Sequence, residues 1–268
     1  MKLLDGRELA DYIKERQARQ VRALRQASHI NPKLAIISTV DDPVINTYIR
    51  MKQQYGEEIL IDVEVHKVDG ATVMEKIAMV NDDPTAHGII VQLPLAQGLD
   101  VDEVVNKITP AKDVDGLGVH AQWTPATAMA IDWLLAGYNV SLKDKKIAIV
   151  GNGRLVGQPL SELWASMGLP FDVYDDQTVD LPAEVRKAQV IVTATGVPGL
   201  ITSPMVQPGA VVVDAGTASE NGVMMGDVAR GVRERDDLTI TPEKGGVGPL
   251  TVTALFDNVI RAAQATIS

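Results

Sequence analysis

"IAIVGNGRLVGQP", residues 147–159, decides how the whole chain is read. Four apolar residues, Ile147 to Val150, run into Gly151, Gly153 and Gly157, and the helix-like "PLSELWASMG" follows. A strand that ends in a glycine-rich turn and opens a helix lets backbone N–H groups and the helix N-terminus approach a pyrophosphate closely, because no Cβ stands in the way. An isolated G-x-G-x-x-x-G is a weak sign, and a tight loop of purely structural use is the competing reading. Here a strand precedes, a helix follows, and a second strand, "PFDVYDDQT", ends in acids, so the turn reads as a dinucleotide site. Asp175 and Asp176 fall about two dozen positions beyond Gly151, near where a carboxylate meets the adenosine ribose. A carboxylate there accepts from the 2′-OH and repels a 2′-phosphate, which favours NAD over NADP; the alternative role is to cap the following turn.

Strands and helices alternate outward from this stretch. Apolar positions recur at helical spacing over 7–27, and Pro32 then precedes the short apolar run "KLAIIST". A helix near 43–57, a strand in "IDVEVHKV", a helix near 72–81, a strand in "HGIIVQL" and a helix near 100–108 follow. A second series carries strands in "KIAIVG", "FDVYD", "QVIVTAT" and "AVVVDA" and closes with the helix "TVTALFDNVIRAA". Such alternation implies crossover connections and an α/β fold with mainly parallel sheets. "DVDGLGVHAQWTPAT" separates the two series. The expected division is therefore residues 1–121, joined by a C-terminal helix at 251–268, and a Rossmann-type dinucleotide-binding domain at 122–250.

Bulk properties narrow the function. The 268 residues are 46% apolar, enough for a sizeable core, and 25 basic against 35 acidic residues leave a net charge of −10 with no basic run to follow nucleic acid. Cysteine is absent, and His29, His66, His87 and His120 are too scattered for metal-ligand spacing, so no metal is expected. The N-terminus turns polar after four residues, and no apolar run approaches the ~20 residues of a membrane span, so a cytoplasmic protein without a membrane partner is expected.

Five short motifs, "TYIRMK", "HGIIVQLPL", "KDVDG", "VGNGRLVGQP" and "GGVGPLT", follow one another over nearly the whole chain. In order and spacing they resemble the bifunctional methylenetetrahydrofolate dehydrogenase/methenyltetrahydrofolate cyclohydrolase family. The resemblance implies two α/β domains flanking a cleft, a homodimer, tetrahydrofolate one-carbon derivatives as substrates, and NAD or NADP as cofactor. It implies oxidation of 5,10-methylenetetrahydrofolate to the methenyl form and hydrolysis of that form to 10-formyltetrahydrofolate.

Residue by residue, the resemblance gives Lys52 the central chemical role with Tyr48 one helical turn earlier, and positions i and i+4 do share a face. It places the Gln92 amide where it hydrogen-bonds Lys52, at the carboxyl end of a strand where α/β ligands bind. Leu93 and Pro94 continue the substrate site, Pro94 fixing the turn through its locked φ. Asp115 matches the residue that grips the pterin, whose adjacent ring N–H and amine suit one carboxylate. Asp113 reads as a turn former. Gly245, Gly246 and Pro249 match a loop closing over the ligands. The cofactor set is Gly151, Asn152, Gly153, Arg154, Val156, Gly157, Asp175, Asp176, Thr195 and Gly196.

Some positions depart from the family pattern. The usual G-R-S is Gly151-Asn152-Gly153, which removes the arginine and serine that hold a 2′-phosphate. The loop after "DVDG" is shorter, P-V-P becomes Pro242-Glu243-Lys244, and Ile45 stands where a serine is usual. These changes spare the hydrolytic residues, so the alternatives are a cyclohydrolase-only paralogue and a non-catalytic folate- or nucleotide-binding regulator. Another two-domain NAD oxidoreductase, of shikimate or glutamate type, leaves "VQLPL" and "KDVDG" unexplained.

Overall fold

The structure, a computed structural model, describes residues 1–220 and 223–267. In chain order it runs β1 (Lys2–Leu3), α1 (Gly6–Ala27), β2 (Lys33–Ser38), α2 (Pro43–Ile59), β3 (Asp62–Lys67), α3 (Val73–Asp82), β4 (Gly88–Gln92), α4 (Val101–Val105), α5 (Ala126–Gly137) and β5 (Ile147–Val150). It continues with α6 (Gly157–Ser166), β6 (Asp172–Tyr174), α7 (Leu181–Val185), β7 (Val190–Thr193), β8 (Val211–Asp214), β9 (Ala218–Glu220), β10 (Val223–Met225), α8 (Arg230–Arg233), β11 (Thr239–Ile240) and α9 (Val247–Ala265). The chain divides into two compact units, one of Asp11–Ala126 with Val252–Ser268 and one of Met1–Ala10 with Thr127–Thr251.

In the first unit β3, β2 and β4 form a parallel sheet with β2 central. Five of the six residues of β2 are buried, as a strand covered on both faces requires. Ala35, Ile37, Val73, Ile77, Ile89 and Val91 share one core between sheet and helix α3. Helix α2 is started by Asp42, whose carboxylate accepts from Val44 N and Ile45 N, with Pro43 in the first turn where its missing N–H costs nothing. It stops at Leu60, which takes a left-handed conformation with φ 66°.

The second unit is a six-stranded parallel sheet in the order β1-β11-β8-β7-β5-β6. From β5 the chain steps first to β6 on one side and then to β7 on the other, which creates a switch point at the carboxyl end of β5. All four residues of β5 and of β7 are buried.

Two expectations need correction. Residues 1–10 group with the nucleotide unit, because β1 pairs in parallel with β11 through Lys2↔Thr239 and Leu3↔Ile240. A two-residue exposed strand carries no periodicity by which the sequence could betray it. The last helix begins at Val247 rather than near 251, so Val247, Gly248 and Pro249 are its first turn and not loop; a proline there needs no N–H partner. Helices α5, α7 and α8 and strands β1, β9, β10 and β11 have no counterpart in the sequence pattern, being short or, in α5, apolar without a clear period.

Candidate active site

On α2 the buried positions Ile45, Ile49, Gly56 and Ile59 leave one gap in their alternating spacing of four and three, and Lys52 fills it. The helix thus turns a lysine inward along its apolar seam. Gly56 makes the close packing feasible: a Cβ there would stand 2.5 Å from Val63 Cγ2. Tyr48, one turn before Lys52, remains 37% exposed.

Lys52 Nζ donates to Gln92 Oε1 at 2.7 Å. Gln92 closes β4, in register with Ser38 of β2, and its own Nε2 donates to Leu93 O at 3.0 Å. That second bond fixes which way the amide faces, so its carbonyl is the end offered to the lysine. Leu93 and Pro94 are joined by a cis peptide.

Asp115 lies in the turn after Asp113. The Asp113 carboxylate is buried and accepts from Gly116 N at 3.0 Å and Gly118 N at 2.8 Å, the work of a turn former. Asp115 and Lys52 then act on each other. Burial pushes the Asp115 carboxyl up to about 6, against the pull of the Lys52 charge and with a further push from Asp113. Burial likewise lowers the Lys52 ammonium below its ordinary 10.5, opposed by the Asp115 carboxylate. An acid and an amine are both drawn toward neutrality, the condition under which a group can take and return a proton near pH 7. Lys52, Gln92 and Asp115 are therefore brought together, while Tyr48 stands one helical turn before Lys52 and partly exposed.

The nucleotide unit builds its site from backbone. Gly151 has φ +100° and donates its N–H to Tyr174 O, and a Cβ on Gly157 would lie 1.8 Å from Gly151 O. Around Gly153 a Cβ would meet nothing within 4 Å, which leaves the approach to the loop open. This turn and the start of α6 suit a pyrophosphate. Of the two acids, Asp175 caps the turn, accepting from Gln177 N at 3.0 Å while its own N–H meets Thr178 Oγ1; Asp176 is exposed. Thr195 and Gly196 follow β7, and Thr195 N donates to Asp227 Oδ2 at 2.6 Å.

That Asp227 belongs to a buried network the sequence reading did not find. Thr193 Oγ1 also donates to Asp227, while Asp214 accepts from Asp227 N, Val228 N and Arg233 Nη2, the last at 2.5 Å. Burial raises the Asp214 carboxyl, and the backbone N–H groups and Arg233 oppose that shift. Together these residues brace the ends of β7 and β8 beneath Thr195. Gly245 and Gly246 also have a local use: Arg7 N donates to Gly245 O, and a Cβ on Gly6 would lie 1.8 Å from Gly246 O. Their missing side chains admit the start of α1. Among the described residues no cluster of metal-binding side chains occurs, and no helix is long and apolar enough to cross a membrane.

An inward lysine bonded to a strand-end glutamine in one parallel sheet and a Gly-rich strand-to-helix turn in another define a two-unit α/β protein of the dinucleotide-dependent kind. Residues 4–115 match the catalytic domain of tetrahydrofolate dehydrogenase/cyclohydrolase and residues 125–267 match its NAD(P)-binding domain; the chain belongs to this family. It is 35% identical over 276 residues to the bifunctional protein FolD of Lactobacillus acidophilus, covering 98% of this chain and 97% of that one. It superposes with a TM-score of 0.93 on the crystal structure of the bifunctional FolD methylenetetrahydrofolate dehydrogenase/cyclohydrolase of Campylobacter jejuni, at 32% identity and 99% coverage of both chains. The Trypanosoma brucei enzyme, solved with NADP and an inhibitor, aligns with a TM-score of 0.92 at 27% identity, covering 99% of this chain and 98% of that one.

Proposed function

We propose that this chain oxidises 5,10-methylenetetrahydrofolate with NAD(P) and hydrolyses the resulting methenyl compound to 10-formyltetrahydrofolate. The observation that carries this reading is the Lys52 amine, bonded to Gln92 at 2.7 Å and electrostatically coupled to Asp115. In hydrolysis, water adds to the cationic bridge carbon, the resulting hydroxyl becomes the formyl C=O as the C–N5 bond breaks, N5 gains one of the two water protons, and the other leaves to solvent. Lys52 takes the proton from the incoming water and returns one to N5, which an amine lowered by burial suits. Gln92 orients that amine, Tyr48 flanks it, and Asp115 accepts from the paired N–H donors of the pterin edge. Leu93 and Pro94 continue the proposed folate-side set.

Oxidation of the methylene bridge leaves a stabilised cation, so it needs positioning rather than a strong base. When bound, the dinucleotide supplies the hydride acceptor. Gly151, Asn152, Gly153, Arg154, Val156 and Gly157 would hold its pyrophosphate, and Thr195 and Gly196 its further end. We assign the preference to NAD: Asp175 and Asp176 follow β6 directly, and Gly151-Asn152-Gly153 lacks the arginine and serine suited to a 2′-phosphate. Since Asp175 spends one oxygen on its turn, the exposed Asp176 is the freer repellent. A kcat/KM for NADP above that for NAD overturns this preference.

One spectrophotometric assay with methylenetetrahydrofolate and either dinucleotide tests the whole reading. Cofactor reduction followed by methenyl decay is expected; decay without reduction leaves a cyclohydrolase, and tight binding without turnover a regulator. A cytoplasmic homodimer is the assembly we carry over to this chain, and a monomeric mass on sizing chromatography overturns it.

A further inference from the structure

Asn258 is polar, on a helix, and wholly buried, with the core residues Val259 and Ile260 beside it. Its Nδ2 has two hydrogens, and each is committed: one bond of 2.9 Å runs to Val114 O and another of 2.9 Å to Thr124 O. The first carbonyl precedes Asp115 directly, and the second closes the same loop just ahead of Pro125. The two acceptors settle that nitrogen, not oxygen, faces the loop. Asn258 Oδ1 is buried and has no hydrogen-bond partner among the described residues. Both donors of the amide are thus used although its acceptor goes unmet; Gln20 Oε1 and Asp227 Oδ1 are likewise buried without a partner, so it is the two bonds to one loop that single Asn258 out.

The loop between the two clasped carbonyls is tied elsewhere too, Val119 N donating to Asn106 Oδ1 and Gln122 N to Pro110 O, but these bonds lie beyond Asp115. Asp113 secures its inner turn through Gly116 N and Gly118 N, and Gly116 takes φ +73° with no room for a Cβ beneath Trp123 O and Pro125. Trp123 Nε1 donates to Ala111 O at 2.8 Å, and the Arg261 guanidinium lies 5.5 Å from the Trp123 ring. Asp113 therefore holds the N–H side of the turn, Asp115 N included, whereas the carbonyl of the same Val114–Asp115 peptide is held by Asn258. Below it, a Cβ on Gly88 would stand 2.8 Å from Val114 Cγ2, so Val114 has no slack toward the sheet.

We infer that Asn258 is a positioning residue for the reaction: by clasping Val114 and Thr124 it sets where the Asp115 carboxylate stands relative to the folate substrate. This rests on the reading of Asp115 as the residue that grips the pterin. Neither the motifs nor the family resemblance assigns Asn258 any role. Asp113 and Asn258 act on the same peptide, Asp113 through the Asp115 N–H and Asn258 through the Val114 carbonyl.

The test is steady-state hydrolysis of 5,10-methenyltetrahydrofolate by the full chain carrying Asn258→Ser, Asp115→Asn, or both. A variant that merely folds less well has fewer active molecules, which lowers kcat and leaves KM unchanged. A displaced Asp115 instead raises KM. Asn258→Ser is expected to raise KM about tenfold with the affinity for dinucleotide unaltered, and the double variant is expected to be no worse in KM than Asp115→Asn, since both remove one interaction. An unchanged KM in Asn258→Ser, or an additive increase in the double variant, overturns the inference and spares the reading of Asp115. An unchanged KM in Asp115→Asn removes that reading and this inference with it. Should Asn258→Ser fail to fold, Asn258→Ala, which buries no new polar atom, is measured in the same way with the same outcomes.

Discussion

The two sites of this molecule are made of different materials. Around Lys52 the working atoms belong to side chains, and burial has moved both the amine and the Asp115 carboxyl away from their ordinary ionisation. Around Gly151 the exposed working surface is backbone, while the buried acid beneath it, Asp214, is also raised by burial and by Asp227 but has Arg233 and peptide N–H groups directly bonded to oppose that shift. Unmatched charge is costly to bury, so a fold tolerates it where the shift itself does chemistry and neutralises it where only rigidity is wanted. A substitution on the first site should therefore strike turnover, and one on the second should strike binding and stability.

The largest effect expected from this contrast is on hydrolysis. Lys52→Met should reduce methenyl hydrolysis by at least about 100-fold while the melting temperature holds or rises, because a buried amine is replaced by an apolar chain of similar length. Undiminished hydrolysis would remove Lys52 from the chemistry, and a large fall in Tm would mean that the lysine supports the fold. Gly157→Ala should do the reverse. Its Cβ would meet Gly151 O at 1.8 Å, so the turn must open, at a cost of about 2–4 kcal/mol by thermal or denaturant unfolding, and dinucleotide affinity should fall. Hydrolysis measured at a temperature where the variant is folded should persist; if it is lost as well, the two sites are less separable than their construction suggests.

The smallest effect concerns stability against pH. The Asp115 carboxyl titrates near 6 in the folded chain against an ordinary 3.8, so its ionisation opposes folding. The penalty is absent below pH 3.8, grows between 3.8 and 6, and is full above 6. Asp115→Asn should accordingly stabilise the protein at pH 7, by ~1–3 kcal/mol once the lost attraction to Lys52 is allowed for, with the gain vanishing below pH 4. Melting curves of the two proteins across pH 4 to 8 check this, and parallel curves would show that Asp115 is not raised by burial.

Much of this was legible in the residues. The buried strands β2, β4, β5 and β7 are short apolar runs bounded by turn residues, and each was read near its observed position. Helix α2 announced itself by Asp42, Pro43 and its apolar spacing. Lys52 could have been found without any family resemblance, since it fills the one gap in the series Ile45, Ile49, Gly56, Ile59. Asp113 was read as a turn former and occupies that place. Asp175 was less transparent: the same aspartate serves a ribose or a turn, and only its bond to Gln177 N shows the turn being served.

What escaped the sequence was everything set by contacts between distant segments. β1 is two exposed residues made into a strand by a partner more than 200 positions away. Asp214, Asp227 and Arg233 look like ordinary loop charges until the sheet buries them against one another, and Asn258 looks like one polar residue in an apolar helix until its amide meets two carbonyls of the Asp115 loop. Local pattern determined the alternation of elements, the parallel sheets and the glycine turn, because spacing and the absence of a Cβ act within a few residues. Tertiary structure decided which acids are charged, which amide holds which loop and where the units divide, because desolvation and hydrogen-bond partnership depend on what the rest of the chain brings alongside.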